Sequence, residues 1–203
     1  MIINKVYHLA DLHIRNLQRH KEYRQVFRKF LKQVKEDKIE DSVIYIAGDI
    51  AHAKTEMSPE LVKEISWFLT ECSKLREVIL ITGNHDCNLN NQHRLDVLTP
   101  IIDNLQNPRI HYLRDTGVYN IHNLTFVVYS IMDNKENWPK GDSVKGENTI
   151  CLFHGPVNKA QTDIGYTVSS NSFQVDMFDG FDMAMLGDIH KRQTFGKGYE
   201  HIA

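Results

Sequence analysis

The sequence predicts an α/β fold in which functional side chains collect at the carboxyl ends of buried strands. Five short apolar runs each end in a cluster of Asp, His, Asn or Gly residues. The runs span residues 6–10, 43–47, 78–81, 150–153 and 183–186. Short apolar runs that alternate with helical patterns are typical of strands buried on both faces. Ligands of such sheets bind beyond the carboxyl ends of the strands, so we expect one shared site there.

Helical patterns between the first runs predict that neighbouring strands are parallel. Apolar residues at helical spacing over residues 23–34 form one face of an amphipathic helix. A second helix is predicted to begin at Ser58 and Pro59, since Ser suits the N-cap and Pro the first helical position. A third helix is predicted over residues 92–105, with Leu95 on its inner face and a kink at Pro100.

The second half of the chain is predicted to be richer in strands. Short extended segments, separated by turn signals, are predicted at residues 109–113, 118–121 and 124–129. Two long polar connections then leave the edge where the clusters collect, and loops of such length often carry function. The aromatic residues Trp138, Tyr166 and Phe173 in these connections suit either packing or base stacking.

Bulk properties limit the class of protein. The 203 residues fit one domain, which we predict to cover residues 1–203. With 24 Lys+Arg against 26 Asp+Glu, the net charge gives no sign of a nucleic-acid or membrane partner. Three widely spaced cysteines argue against a disulfide framework and favour a reducing compartment. No apolar run approaches the ~20 residues of a membrane span, so we expect a cytoplasmic protein without a membrane partner.

Seven of the clustered side chains are candidate metal ligands: Asp11, His13, Asp49, Asn84, His154, Asp188 and His190. They exceed what one tetrahedral ion needs, and the two oxygens of Asp49 suit a bridge between two ions. Mixed oxygen and nitrogen donors suit manganese, iron or zinc. We predict two divalent ions, with manganese first and magnesium, iron or zinc as alternatives. Two ions roughly 3.5 to 4 Å apart favour in-line displacement at phosphorus, which indicates phosphoester hydrolysis.

Two further histidines are predicted to be catalytic. His85 can protonate the leaving alkoxide, and its neighbour Asp86 can hold the imidazole in the useful tautomer. His52 is predicted to contact phosphate or to place the substrate, with an ordinary loop histidine as the alternative.

The order of these motifs resembles that of the calcineurin-like metallophosphoesterase superfamily. The shared pattern is Asp-x-His, Gly-Asp, Gly-Asn-His-Asp, a lone His and Gly-x-x-His. Within it, the motif from Gly48 to His52 and the series Leu-Gly-Asp-Ile-His-Lys-Arg-Gln at residues 186–193 are most similar to SbcD-type DNA repair nucleases. The resemblance implies a β-sandwich flanked by helices, with the metal site at the carboxyl ends of the strands.

The resemblance also implies how the ligands are shared. It places Asp11, His13, Asp49 and His190 around one ion, and Asp49, Asn84, His154 and residue 188 around the other. The family usually has His where this chain has Asp188. A carboxylate there adds negative charge and favours harder ions such as manganese or magnesium.

By the same resemblance, the family continues past this point with a capping domain and a segment that docks on an SbcC-type ATPase. Because Ile202 and Ala203 read like the start of another strand, we expect the chain to be truncated at its C-terminus and to lack the capping domain. DNA is the expected substrate, and a homodimer and an SbcC-type ATPase are the partners that the resemblance implies.

Three functions stay open at this point. The first is a DNA exonuclease or endonuclease, and the second is a phosphomonoesterase or small-nucleotide phosphodiesterase. The third is a metal-binding scaffold without catalysis. Residues 15–35 carry eight Lys and Arg against Glu22 alone, which suits either a phosphate backbone or, as we favour, a solvated helix face. Arg15 is the exception, since it lies two residues past His13 and is expected near substrate phosphate.

Overall fold

Two β-sheets stack face to face, and three helices pack on the outer face of the first sheet. The structure is a computed structural model that describes residues 1–54, 56–91, 93–169, 172–195 and 199–202. The helices are α1 (His20–Glu36), α2 (Pro59–Leu75) and α3 (Leu98–Leu105).

The first sheet is entirely parallel, as the helical connections predict. Its strands, in spatial order, are β1 (Lys5–Leu9), β2 (Ser42–Ile46), β3 (Glu77–Leu80) and β4 (Ile110–Tyr112). The carboxyl ends of its first three strands therefore lie at one edge.

The second sheet is mixed. Its spatial order is β5 (Gly117–Ile121), β6 (Leu124–Tyr129), β7 (Thr149–His154), β8 (Met183–Gly187), β10 (Tyr199–Ile202) and β9 (Gln193–Phe195). The pairs from β6 to β10 are parallel, whereas the two outermost pairs are antiparallel. The predicted α/β sandwich flanked by helices is confirmed.

The five predicted ligand-bearing strands are confirmed to within one residue at either end. Ser58 caps α2 as predicted, since its Oγ accepts a hydrogen bond from the Leu61 N–H at 3.1 Å. Ile202 belongs to a strand, but the predicted start is wrong, because β10 begins at Tyr199; Ala203 lies outside the described residues. Strand β9 was not predicted, because its three residues are too few to show an alternating pattern.

The prediction for α3 is wrong at its start. The helix begins at Leu98 rather than near Gln92, which lies outside the described residues, and Leu95 is 64% exposed. The Asp96 side chain fixes the start of α3. Its Oδ1 accepts hydrogen bonds from the backbone N–H groups of Leu98 and Thr99, at 2.9 and 2.8 Å. Pro100 therefore lies in the first turn, where its missing N–H costs nothing, and it does not form a kink.

Alternating side chains of β2 join the helical layer to the second sheet. Ile44 and Ile46 belong to the apolar cluster shared with α1, α2 and α3. Val43 and Tyr45 belong to the cluster between the two sheets, where they meet residues of β6, β7 and β8. A third cluster lies under the long connections on the other face of the second sheet. Because β2 packs on both faces, its carboxyl end is fixed relative to both the helices and the second sheet.

Packing between α1 and α2 is expected to dominate the stability of the helical layer. Phe68 is fully buried and stacks on Phe27, with ring centroids 4.0 Å apart. We expect Phe68→Ala to lower the free energy of unfolding by about 3 to 5 kcal/mol, because it removes buried area and leaves a cavity.

Urea unfolding followed by circular dichroism measures this change. Val26→Ala is the matched control, since Val26 lies on α1 but is 60% exposed. It should change the free energy by no more than about 0.5 kcal/mol. A loss for Phe68→Ala no larger than that of the control would contradict the packing assignment.

Candidate metal centre

Backbone hydrogen bonds between the two chain segments continue past the ends of β1 and β2. They position Asp11, His13 and Asp49. The Asp11 N–H donates to the Gly48 carbonyl at 3.2 Å, and the His13 N–H donates to the Asp49 carbonyl at 2.9 Å. These bonds hold the Asp-x-His turn beside Asp49. Two of the sequence clusters thereby become one site.

Four of the seven candidate ligands have left-handed backbones. The φ angles are 54° at Asp11, 46° at His13, 52° at Asp49 and 92° at Asp188. Residues other than glycine rarely adopt this conformation. It persists where surrounding contacts over-determine it, and such residues concentrate at functional sites.

Two glycines allow the strand ends to close around His154. A Cβ on Gly48, whose φ is 82°, would lie 2.8 Å from His154 Nδ1 and 2.6 Å from the backbone nitrogen of Gly83. A Cβ on Gly187 would lie 2.7 Å from the same Nδ1 and 2.3 Å from the Ala47 carbonyl oxygen. Any side chain at either position would push the imidazole out of place.

His154, Asn84 and Asp49 bring three candidate ligand groups into one small space. The Nδ1 of His154 lies 2.6 Å from the Ala47 carbonyl, so Nδ1 carries a proton and donates it. Its Nε2 lies 3.3 Å from Asp49 Oδ1 and 3.1 Å from Asn84 Oδ1. The side-chain amide of Asn84 turns one terminal atom toward Asp49. This atom lies 3.1 Å from Asp49 Oδ2 and 3.2 Å from Asp49 Oδ1. As a nitrogen it would donate to them, whereas as an oxygen it can only share a cation with them.

His13 and His190 form the other side of the centre. Their Nε2 atoms are 3.2 Å apart, and His13 Nε2 lies 3.5 Å from Asp49 Oδ2. His190 Nε2 lies 3.9 Å from Asp11 Oδ1. The two imidazole nitrogens thus converge with carboxylate oxygens, which is a donor set suited to a divalent transition metal.

The two sides overlap at Asp11 and Asp49. Donor atoms of Asp11, His13 and His190 lie within 4.8 Å of one another, and so do those of Asp11, Asp49 and His154. The backbone N–H of Asp188 donates to both Asp11 oxygens at 3.1 Å, and its carboxylate lies 3.9 Å from His154 Nε2. All seven candidate ligands are therefore brought together, and their chemistry fits two divalent ions.

Burial shapes the charges of this cluster. It raises the pKa of Asp11 to about 6, and it lowers the pKa of His13 to about 4 with help from nearby imidazoles. His13 is consequently a neutral imidazole at neutral pH, as a metal ligand must be. Burial also opposes charge on His154, but the hydrogen bond and charge of Asp49 outweigh it and raise that pKa to about 9. A proton on His154 thus partly balances the carboxylates.

The predicted partnership between His85 and Asp86 is wrong. His85 Nδ1 donates to the carbonyl of His52 at 2.8 Å, so a backbone oxygen sets its tautomer. Asp86 is fully buried and accepts from the backbone N–H groups of Ala51 and Gly83, at 2.8 and 2.9 Å. It therefore shapes the loop that carries Asn84 and His85.

His52 and His85 lie beside the candidate ligands. Donor atoms of His13, His52 and His85 lie within 4.8 Å of one another, and the His13 and His85 ring centroids are 4.7 Å apart. Among the residues that the structure describes, His52 Nδ1 has no hydrogen-bond partner. Burial and the charge of Arg15 lower the pKa of His52. The His52 side chain also lines the open cleft beside these ligands.

An open cleft of about 440 Å³ gives access to the centre. Arg15 lines it, as predicted, together with Arg19 and Tyr23. Tyr23 was assigned only to the apolar face of α1, but its hydroxyl donates to the His13 carbonyl at 2.6 Å. Neither this role nor that of the Ala47 carbonyl has a sequence signature, because both depend on backbone acceptors brought together by the fold.

The stacked sheets and the cluster of oxygen and nitrogen donors at their strand ends define a class of enzymes that hydrolyse phosphoesters with divalent metals. The sequence profile of the calcineurin-like phosphoesterases matches residues 4–192, and the chain belongs to this family. Members typically depend on two metal ions.

One relative is an uncharacterized protein of Acanthamoeba polyphaga mimivirus, which is 43% identical over 204 residues. The match covers 94% of this chain but only 15% of that protein, so the chain corresponds to a small part of its relative's length. Among the described helices, none is both long and apolar enough to cross a bilayer.

We expect metal affinity to rise with pH. A cation that takes the position beside His154 Nε2 must displace a proton whose pKa is about 9. Manganese affinity should therefore rise about tenfold per pH unit from about pH 7 to about pH 8.5, because ligands bind metal in the deprotonated form. Protonation of Asp11, with a pKa of about 6, should weaken binding further in acid.

Isothermal titration calorimetry with manganese measures this dependence. Titrations in two buffers of different ionisation enthalpy at one pH count the protons released on binding. An affinity that does not change with pH, with no proton release, would show that the metal does not displace a proton from His154.

Proposed function

We propose that this chain hydrolyses phosphodiester bonds in DNA with a pair of divalent ions, preferentially manganese. Family membership supports metal-dependent phosphoester hydrolysis in general. The observation that carries the proposal is the convergence of the candidate ligands at an open cleft, which five of the seven line together with Arg15 and Arg19. An open cleft with Arg15 at its border suits a polymer that continues past the scissile phosphate on both sides.

In this proposal the ligands divide between two ions that share Asp49. Asp11, His13 and His190 complete one set, and the other consists of Asn84, His154 and Asp188 with Asp49. Bound ions would supply Lewis acidity and lower the pKa of a water molecule for attack on phosphorus. The carboxylate of Asp188 adds negative charge to the second set, which favours manganese over softer ions.

His85 is proposed to donate a proton to the leaving oxygen. Its Nδ1 is occupied by the His52 carbonyl, which leaves Nε2 as the nitrogen that can exchange a proton with a substrate in the cleft. His52 and Arg15 border the same cleft and are proposed to bind phosphate oxygens. Arg15 suits this role because a guanidinium pairs with phosphate through two donors.

Most of the basic face of α1 does not take part in this proposal. Arg24 pairs with Glu64 at 2.7 Å and lies over the ring of Trp67, and Lys32 pairs with Glu36. The exposed pair of Lys32 and Glu36 supports the favoured solvated-face interpretation at the end of α1, whereas half-buried Arg24 packs against α2. On the resemblance alone, an SbcC-type ATPase and a second copy of the chain are proposed as partners.

DNA hydrolysis should require both manganese and Asp49. After chelation, we expect cleavage of single-stranded and double-stranded DNA to return on addition of manganese, and Asp49→Asn to abolish it, because the proposed bridge loses a charged oxygen. The measurement is the release of labelled nucleotides. Asp103→Asn is the matched control, since Asp103 is an exposed residue on α3.

The two alternatives give different results in the same assay. Hydrolysis of mononitrophenyl and bis-nitrophenyl phosphates without DNA cleavage would favour the small-phosphoester activity. Manganese binding without turnover of any phosphoester would favour the catalytically silent scaffold. Either result would refute the proposed nuclease.

Replacement of His85 should separate metal binding from turnover. His85→Asn keeps a side-chain N–H where Nδ1 meets the His52 carbonyl, but it removes Nε2. We expect manganese affinity to be nearly unchanged and DNA turnover to fall by ~100-fold or more. His93→Asn, at an exposed position, is the control.

The leaving group provides a second readout for His85. Nitrophenolate leaves without protonation, whereas the alkoxide of DNA needs a proton. His85→Asn should therefore slow hydrolysis of bis-nitrophenyl phosphate much less than that of DNA. Equal losses on both substrates would contradict the role of a general acid.

A further inference from the structure

A second cavity adjoins the metal centre on the side away from Arg15. Its volume is about 490 Å³, and Asn84, His154 and Asp188 form the wall that it shares with the centre. Two aromatic residues of the long connections, Trp138 and Phe173, line its apolar part. A group bonded to a phosphate at the centre can therefore reach this cavity directly.

The aromatic wall is held rigidly. The Trp138 ring stacks on Tyr129, with centroids 4.9 Å apart and planes 7° from parallel, and its Nε1 donates to the Ser130 carbonyl at 3.2 Å. Phe173 lies 5.5 Å from Trp138 and 5.0 Å from Phe153, between ring centroids. A wall that is already ordered loses little conformational entropy when a ligand stacks on it.

The charges around the cavity exclude a second phosphate. Three carboxylates line it, those of Asp133, Glu136 and Asp188, whereas Lys135 is the one Lys or Arg among the described lining residues. Two of these carboxylates lie on the loop opposite the metal ligands. Asp133 uses Oδ1 to accept from the Asn134 N–H and the Asn137 side chain, at 2.8 and 2.7 Å. Its other oxygen is available to accept a hydrogen bond from an uncharged ligand.

We propose that this cavity binds the nucleobase of the nucleotide next to the scissile phosphate. The inference rests on the proposed function and names the part of the substrate that the site recognises. A nucleobase has apolar faces for Trp138 and Phe173 and exocyclic amines for Asp133 and Glu136. It is also uncharged, as the acidic rim requires. Trp138 is thus a specificity-determining residue that does not touch the reacting atoms.

The test is a double-mutant cycle that combines a substitution of Trp138 with removal of the base from the substrate. An oligonucleotide with normal nucleotides is compared with one that is abasic at the position beside the cleaved bond. The wild-type chain should cleave the abasic substrate with a kcat/KM about tenfold lower, because one stacked base is lost. Trp138→Leu should lower kcat/KM for the normal substrate to the abasic level and leave the abasic rate unchanged.

The inference would be overturned if the wild-type chain and Trp138→Leu preferred the normal over the abasic substrate equally. It would also be overturned if the wild-type chain cleaved both substrates equally well. Phe173→Leu should weaken the same preference, and it provides a second variant if Trp138→Leu does not fold. Trp67→Phe is the control, because Trp67 lies on α2 against Arg24 and should not affect the preference.

A binding measurement separates this inference from the proposed nuclease. In the Trp67→Phe chain, Trp138 is the one remaining tryptophan of the two in the sequence. With a chelator present, adenosine should quench its fluorescence in a saturable manner, whereas inorganic phosphate should not. If DNA is not cleaved, saturable quenching still supports the base pocket, and its absence overturns it.

Discussion

The hydrogen bond between His154 and the Ala47 carbonyl joins the two sheets where their strands end. Ala47 follows β2 of the first sheet, and His154 closes β7 of the second. Four candidate ligands come from the first sheet and three from the second, so the centre exists only if both edges meet in register. Because the donated proton fixes Nδ1, it also directs Nε2 toward Asp49 and Asn84. The glycines at positions 48 and 187 leave space for this bond.

The same burial that positions the ligands makes the negative charge of their carboxylates costly. Desolvation raises the pKa values of Asp11 and Asp188. The pKa of His154 is also raised, because the neighbouring Asp49 outweighs the effect of burial. Protons therefore compensate part of the charge that divalent ions would compensate. Metal binding and proton release are consequently linked in this site, and neither can be described from the ligand list alone.

Sequence reasoning succeeded where the signal was local. Apolar runs and the residues just after them located the strands and the seven candidate ligands that the structure brings together, because strand direction places those residues at one edge. It failed where backbone atoms decide the outcome. The carbonyl of His52, rather than Asp86, orients His85, and the Asp96 side chain sets the start of α3. The cavity beside the centre depends on contacts between distant loops, such as that of Trp138 with Phe173.

The two sides of the centre differ in a way that gives a substrate one orientation. On the α1 side, Arg15 borders the cleft with a positive charge, and so does Arg19, whose guanidinium pairs with Glu22 at 2.8 Å. On the side of the second sheet, the aromatic wall and the carboxylates of Asp133 and Glu136 border the cavity. A phosphate chain is attracted to the first side and repelled by the second, whereas a base gains from stacking only on the second. Under the proposed function, a nucleotide at the centre would therefore place its backbone toward α1 and its base toward Trp138, so that recognition depends first on the presence of a base.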